Sequence, residues 1–380
     1  MASIHTRARK DGSVTFRVAF RIDGRQAQES FDDIDQARKF CGLVGRIGGR
    51  EAREVLLGMD SEDGDSPTLS KWLDEYLDPA SGILGGVSKS TRDDYRSMAA
   101  RSFLEHLGDI PLSGITQRSI RGWINWQSEQ PSARRSGRSV SAKTIKNYHA
   151  LLSGALAAAV AEGIIESNPA FGLELPSGQR EPITFLTEKE FARVYELMPE
   201  YYKPTALALA GSGLRFGELS ALTWADLVEV DGGWCLDVNK AWKDGANRRR
   251  AIGAPKTASG IRLVSISSDI VEALGKRGKP GDFIFKAKRG GALISTTFAK
   301  CGLHPAVKAA GLTRRPRVHD LRHSHVSWLI ARNVPLPYIQ RRIGHTNIDT
   351  TVRVYGHLLP EALSATRDAA SDAIKLAMAA

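Results

Sequence analysis

Two polar, turn-rich interruptions, "DSEDGDSPT" and "SNPAFGLELPSGQREP", cut the 380-residue chain into three stretches whose apolar residues recur with different periods. A change of period means a change of element type, because side chains share a face every second residue in a strand and every third or fourth in a helix. The chain is therefore read as multidomain. Residues 1–60 suit a small β-sheet plus helix, 67–170 an all-α domain, and 182–380 a mainly α domain with a small antiparallel sheet.

In the first stretch, "DGSVTFRVAFRIDGRQAQESF" alternates β-formers around the turn signals Asp11-Gly12 and Asp23-Gly24, and a helix from about Asp35 should cover the sheet. Arg7, Arg9, Lys10, Arg17, Arg21 and Arg25 crowd it. A strand surface carrying arginine can enter a DNA major groove, although a solvated sheet face would look the same in sequence. In the second stretch Leu69, Trp72, Leu73, Tyr76 and Leu77 repeat at helical spacing, a stripe that reads as core rather than as a base-stacking platform. Its basic loop "PSARRSGRSV", with Arg134 and Arg135, could grip a phosphate backbone. The third stretch opens with a capping box from Thr187 to Glu190 and runs through an apolar helix into "GSGLRFGELSAL". Gly211-x-Gly213 lacks the spacing of a phosphate loop and reads as a turn. The strand-like "GGWCLDVNKAW" and "GIRLVSIS" follow, separated by the basic "KDGANRRRAIGAPKTASG".

A formal net charge of +11 and a pI near 9.6 favour a polyanionic partner, nucleic acid above all. No apolar run reaches membrane-spanning length and the opening "MASIHTRARK" lacks the apolar stretch of a secretory signal, so the cytoplasm is the expected compartment. Cys41, Cys235 and Cys301 are odd in number and far apart, which argues against a disulfide framework or a cysteine zinc site and for core filling.

The densest chemistry is "HDLRHSH". On a helix, His319 and His323 share a face at the spacing of zinc-binding helices, but Arg322 beside them would repel a cation and suit a phosphate. The same stretch of chain holds Arg215 in "GLRFGE", Lys256 in "PKTASG", and His345 and Tyr355 in "IGHTNIDTTVRVYGHL". Two guanidiniums, a primary amine, imidazoles and a phenol suit phosphoryl transfer with no metal and no cofactor. Bidentate arginines favour the charge that develops on non-bridging oxygens. Tyr355 can attack phosphorus but, with a reference pKa of about 10, needs a base such as His319. Lys256, expected at the tip of a β-turn, can return a proton to the leaving oxygen.

In that order, G-L-R-x-G-E, a hairpin lysine, H-x-L-R-H, a G-H pair and a downstream tyrosine, the segment from about Pro182 resembles the catalytic domain of the tyrosine recombinases, the phage integrase family. Ile343 stands where the family commonly has Leu. The resemblance implies that Arg215, Lys256, His319, Arg322 and His345 surround the scissile phosphate, that Tyr355 is the nucleophile, and that Glu218 and His323 support them. It implies a core-type DNA-binding domain in the helical middle and an arm-type DNA-binding domain in the first stretch. It further implies double-stranded attachment sites and a homotetramer on DNA, with a host DNA-bending protein and an excision factor as possible accessory partners. A terminal helix with Leu363, Ala370, Ile374 and Ala377 near one face would pack within its own protomer or into a neighbour. His325 and His357 read as structural or solvated. Other readings are a type IB topoisomerase, a hydrolase with a metal on His319 and His323, and a non-catalytic DNA-binding regulator.

Overall fold

The computed structural model describes residues 2–8, 14–59, 66–132, 137–178, 185–244, 250–255 and 257–347, with scattered positions beyond 351. Its contacts divide the chain into two compact units, residues 1–180 and 181–380.

The first unit begins with an antiparallel sheet of β1 (Ser3–Ala8), β2 (Val14–Ile22) and β3 (Arg25–Phe31). Asp23 and Gly24 both take positive φ, 49° and 80°, the twist that lets a two-residue turn join β2 to β3. Val18, Phe20 and Phe31 are buried under α1 (Ile34–Ile47), whose first turn is capped by the Asp33 side chain at 3.0 Å from the Asp35 N–H. A second helix, α2 (Gly49–Met59), follows at once. The sequence pattern marks only the first helix because Gly48-Gly49 interrupts its apolar period. There is room only for glycine at position 49, where a Cβ would lie 2.4 Å from the Arg21 carbonyl oxygen.

The helical segment comprises α3 (Leu69–Tyr76), α4 (Lys89–Ala100), α5 (Leu104–Leu107), α6 (Gln117–Glu129) and α7 (Ala142–Ala161). The aromatic stripe is core. Trp72 and Tyr76 are buried, and the Trp72 indole donates to the Ala155 carbonyl at 2.7 Å. Sheet and helices are joined by packing as well as by chain. Val55 of α2 is 4% exposed and belongs to the helical core, with Leu43 and Ile47 of α1 packed against the same cluster. Ion pairs Arg46–Asp109 (3.1 Å) and Arg118–Glu51 (3.2 Å) flank that contact, but half-exposed pairs of this kind add little beside apolar burial.

The second unit opens with α8 (Glu188–Glu196), where the expected capping box forms between Thr187 and Glu190, then α9 (Lys203–Ser212) and α10 (Phe216–Leu219). A sheet in the order β4 (Leu227–Val230), β5 (Gly233–Val238), β8 (Arg262–Ile266) packs beside them. The basic stretch between β5 and β8 is not simply a turn. It contains a ribbon of β6 (Ala241–Asp244) and β7 (Arg250–Gly253), fixed by the Trp242 indole on the Ser220 carbonyl at 3.1 Å. Then come α11 (Ser268–Leu274), α12 (Ser295–Phe298), α13 (His304–Ala309), α14 (Asp320–Ala331) and α15 (Leu336–Ile343). Val326 and Ile330 of α14 bury Ile339 and Ile343 of α15. Cys235 is buried and Cys41 partly so, but Cys301 is exposed, so core filling does not extend to it. In the terminal segment Leu363 and Ala377 lie outside the described residues, while Ala370 and Ile374 are helical and exposed. Among the described residues no helix is long and apolar enough to cross a membrane.

Because Val55 fills the helical core from outside the helical segment, Val55→Ala should cost about 2 kcal/mol. It should also lower amide protection in α3 and α7, read by hydrogen exchange. Protection lost only in β1–β3 and α1 would show that the two cores are independent.

Candidate active site

The site begins where α9 stops. Gly213 takes φ +68° and its N–H caps the Leu209 carbonyl at 3.0 Å, and a Cβ there would meet the His325 ring at 2.4 Å. These glycines thus form a turn, as expected, and the turn delivers Arg215 to the start of α10. The Glu218 carboxylate accepts from the Arg215 backbone N–H at 3.0 Å and from its Nη1 at 2.7 Å. Burial works against an ionised Glu218, but Arg262 and Arg215 outweigh it and hold the group below the usual carboxylate range.

A third arginine, which no motif in the sequence marked, completes the cluster. Arg262 of β8 donates to Glu218 at 3.0 Å, to the Gly260 carbonyl at 2.8 Å and to the Arg342 carbonyl at 2.7 Å. Arg322 of α14 donates to the carbonyls of Gly213 and Ile343, each at 2.7 Å, and Arg215 reaches the Gly344 carbonyl at 3.3 Å. Three guanidiniums therefore take three successive carbonyls, 342, 343 and 344, at the carboxyl end of α15. Those carbonyls have no partner within the helix and lie at the negative end of its dipole. Gly344 (φ +66°) permits the approach, since a Cβ would fall 2.9 Å from Arg262 Nη1 and from the Ser259 carbonyl.

Three imidazoles share this surface. His319 and His323 meet edge to face with ring centres 4.9 Å apart. Burial, then His323 and Arg322, drive His319 down to about 4. Burial, then Arg322 and Arg215, do the same for His345, also about 4. His323 is lowered chiefly by burial. His319 and His345 are therefore neutral at pH 7. His325 faces elsewhere: its Nδ1 lies 2.8 Å from the Ala210 carbonyl and its Nε2 accepts from Arg342 Nε at 3.0 Å. That makes it a buried rivet between α9 and α15, pushed to about 3 by burial.

The structure thus brings together Arg215, Glu218, His319, Arg322, His323 and His345. Lys256, Tyr355 and His357 lie outside the described residues. Beyond Lys256, Ser259 comes 3.2 Å from Thr346, hydroxyl to hydroxyl, so the described part of that loop borders the His345 turn. In the first unit the cross-strand pairs His5–Arg17–Ser30, Arg7–Thr15 and Arg21–Gln26 place Arg7, Arg17 and Arg21 on the face of the sheet turned away from α1. Arg25 departs from that set, since it pairs with Ile22 on the opposite face. Arg9, Lys10, Arg134 and Arg135 lie outside the described residues. Among those described, no group of three or more His, Cys, Asp or Glu side chains is arranged to hold a metal ion.

Comparison with known proteins finds relatives in sequence and in fold. The pattern of the phage integrase family matches residues 184–362, and that of the phage integrase SAM-like domain residues 68–173. The ICEBs1 integrase of Bacillus subtilis is 30% identical over 240 residues, 58% of this chain and 63% of that relative, so the match spans less than two thirds of its length. The Tn1549 transposon integrase, solved with transposon right-end DNA, superposes with a TM-score of 0.63 at 20% identity over 76% of this chain and 95% of that one. The lambda integrase tetramer bound to a Holliday junction gives 0.54 at 21% identity over 90% and 95%. At those identities the likeness to the solved structures is one of fold.

The histidines set a pH dependence. Unfolded, each titrates near 6.5; folded, His319 and His345 titrate at about 4 and His325 at about 3. Between those limits the unfolded chain binds more protons, so stability rises with pH through the window and is lost as pH falls from about 6.5 toward 4. Scanning calorimetry should show the melting temperature falling across that interval, less steeply in His345→Gln. A flat profile would mean that these rings are not buried neutral.

Proposed function

Because the chain belongs to the phage integrase family of tyrosine recombinases, we propose that it is a site-specific integrase that cuts and rejoins duplex DNA through a 3′-phosphotyrosine. The observation that carries this reading is the clustering of two motif arginines, Arg215 and Arg322, with neutral His319 and His345 on one surface.

Arg215, whose side chain is 43% exposed, and the more deeply set Arg322 place positive charge on the non-bridging oxygens of the scissile phosphate. His319 takes the phenolic proton as the Tyr355 oxygen forms its bond to phosphorus, and His345 donates a hydrogen bond to the phosphate. The P–O5′ bond breaks and Lys256 gives a proton to the departing O5′. In the second half the 5′-hydroxyl of a partner strand attacks the phosphotyrosine, Tyr355 leaves, and Lys256 and His319 recover their first protonation states. The phosphotyrosine retains the bond energy of the diester, so neither ATP nor a metal enters the balance. Glu218 and His323 support the arginines and His319.

The lambda integrase tetramer on a Holliday junction supports a four-protomer assembly on DNA here. In the first unit, residues 67–170 form the core-type binding domain, with Arg134 and Arg135 on phosphate. Residues 1–60 form an arm-type domain whose open face carries His5, Arg7, Arg17, Arg21, Gln26 and Gln28 but no carboxylate from the paired strand residues. That polarity suits base edges in a major groove. The compartment in this reading is the cytoplasm, and a DNA-bending protein and an excision factor are the candidate accessory partners.

The test is a nicked suicide substrate built from the element's own junction. Wild-type protein should form a covalent adduct in EDTA, and Tyr355→Phe should bind DNA without forming one. An adduct from the Phe variant would assign the nucleophile elsewhere, and cleavage that needs an added divalent ion would restore the metal reading. Replacing Arg7, Arg17 and Arg21 by Gln should spare cleavage but reduce integration into a second duplex. Supercoil relaxation without joint molecules would favour a topoisomerase.

A further inference from the structure

Arg262 differs from Arg215 in what it can reach. Its side chain is 6% exposed against 43% for Arg215, and its Nε, Nη1 and Nη2 are each committed to a protein oxygen within 3.0 Å. Those oxygens come from three separate pieces of the site. Gly260 closes the loop that follows Lys256, Glu218 aims Arg215, and Arg342 precedes the Gly344-His345 turn. A planar fork with donors on different edges can join three such points. A lysine, with one nitrogen on a flexible stem, cannot hold them in a fixed mutual geometry.

We propose that Arg262 is a positioning residue of the strand-cleavage reaction, holding Arg215 through Glu218 and the His345 turn through the Arg342 carbonyl without touching DNA. The inference rests on the recombinase reading above. Its energetic logic is that Glu218 is buried between two guanidiniums, Arg215 from the turn before it and Arg262 from β8, which are the charged groups facing it. Removing Arg262 leaves a buried carboxylate with one partner, so Glu218 takes up a proton at higher pH and relaxes its hold on Arg215. Displacing a phosphate-binding group by about 1 Å can cost on the order of 100-fold in rate.

The test uses the full chain and the same suicide substrate, with Arg262→Lys, Arg262→Met and wild type, each checked for folding by its melting curve. Single-turnover cleavage should fall about 10- to 100-fold in Arg262→Met. The dissociation constant for uncleaved DNA should stay unchanged, and the acidic limb of the rate–pH profile should move to higher pH. Arg262→Lys, which keeps the charge near Glu218, should recover the acidic limb and part of the rate. A role confined to folding would lower the melting temperature but leave the pH limb where it was, and that result overturns the proposal. So does an unchanged rate in both variants, or a loss of DNA affinity in Arg262→Lys that matches its loss of rate. Absence of an adduct from the wild-type protein would overturn the recombinase reading itself.

Discussion

The second unit is organised around the carboxyl end of α15. Carbonyls 342, 343 and 344 accept from Arg262, Arg322 and Arg215, which arrive from a strand, a helix and a turn remote in sequence. Three like charges so close together would repel one another. What makes the cluster tolerable is the negative end of the helix dipole, the ionised Glu218, and the Gly213 and Gly260 carbonyls that take further guanidinium protons. The same arrangement explains why the neighbouring histidines are neutral, since each feels burial and the guanidinium field together. On the proposed function, a phosphate entering such a site would meet charge that is already oriented.

The arginines and histidines that the structure gathers were legible in the sequence because their pattern is local: an arginine beside a glycine turn and histidines at helical spacing. The packing partners were not. Arg262 sits in "GIRLVSIS", where it reads as one polar position of an alternating strand, and only the closeness of β8 to the end of α15 gives it a role. His325, read from the sequence as structural or solvated, is structural: at two residues beyond His323 it points to another side of the helix and faces α9, a partner the sequence does not name. The β6–β7 ribbon was obscured by the basic, glycine-containing stretch that surrounds it, and Trp242, which fixes it, finds its partner across the fold.

A similar limit applied in the first unit. Alternation and the Asp23-Gly24 turn disclosed β2 and β3, and the apolar period disclosed α3, because those are one-dimensional signals. That Val55 would leave the small sheet's neighbourhood to fill the helical core is a tertiary fact with no local signature. The sheet presenting Arg7, Arg17 and Arg21 is thereby carried on helices that are packed into the helical segment.

The central claim is that the arginine cluster is assembled before any phosphate arrives. Side-chain nitrogen NMR of the DNA-free protein addresses it directly, with Arg215, Arg262 and Arg322 assigned through single Arg→Lys variants. Guanidiniums tied to backbone carbonyls rotate slowly about the Nε–Cζ bond, so Arg262 and Arg322 should give separate, slowly exchanging Nη signals, and Arg215, partly open to solvent, an intermediate pattern. Fast averaging of all three, like that of arginines on the open sheet face, would contradict a preassembled clamp.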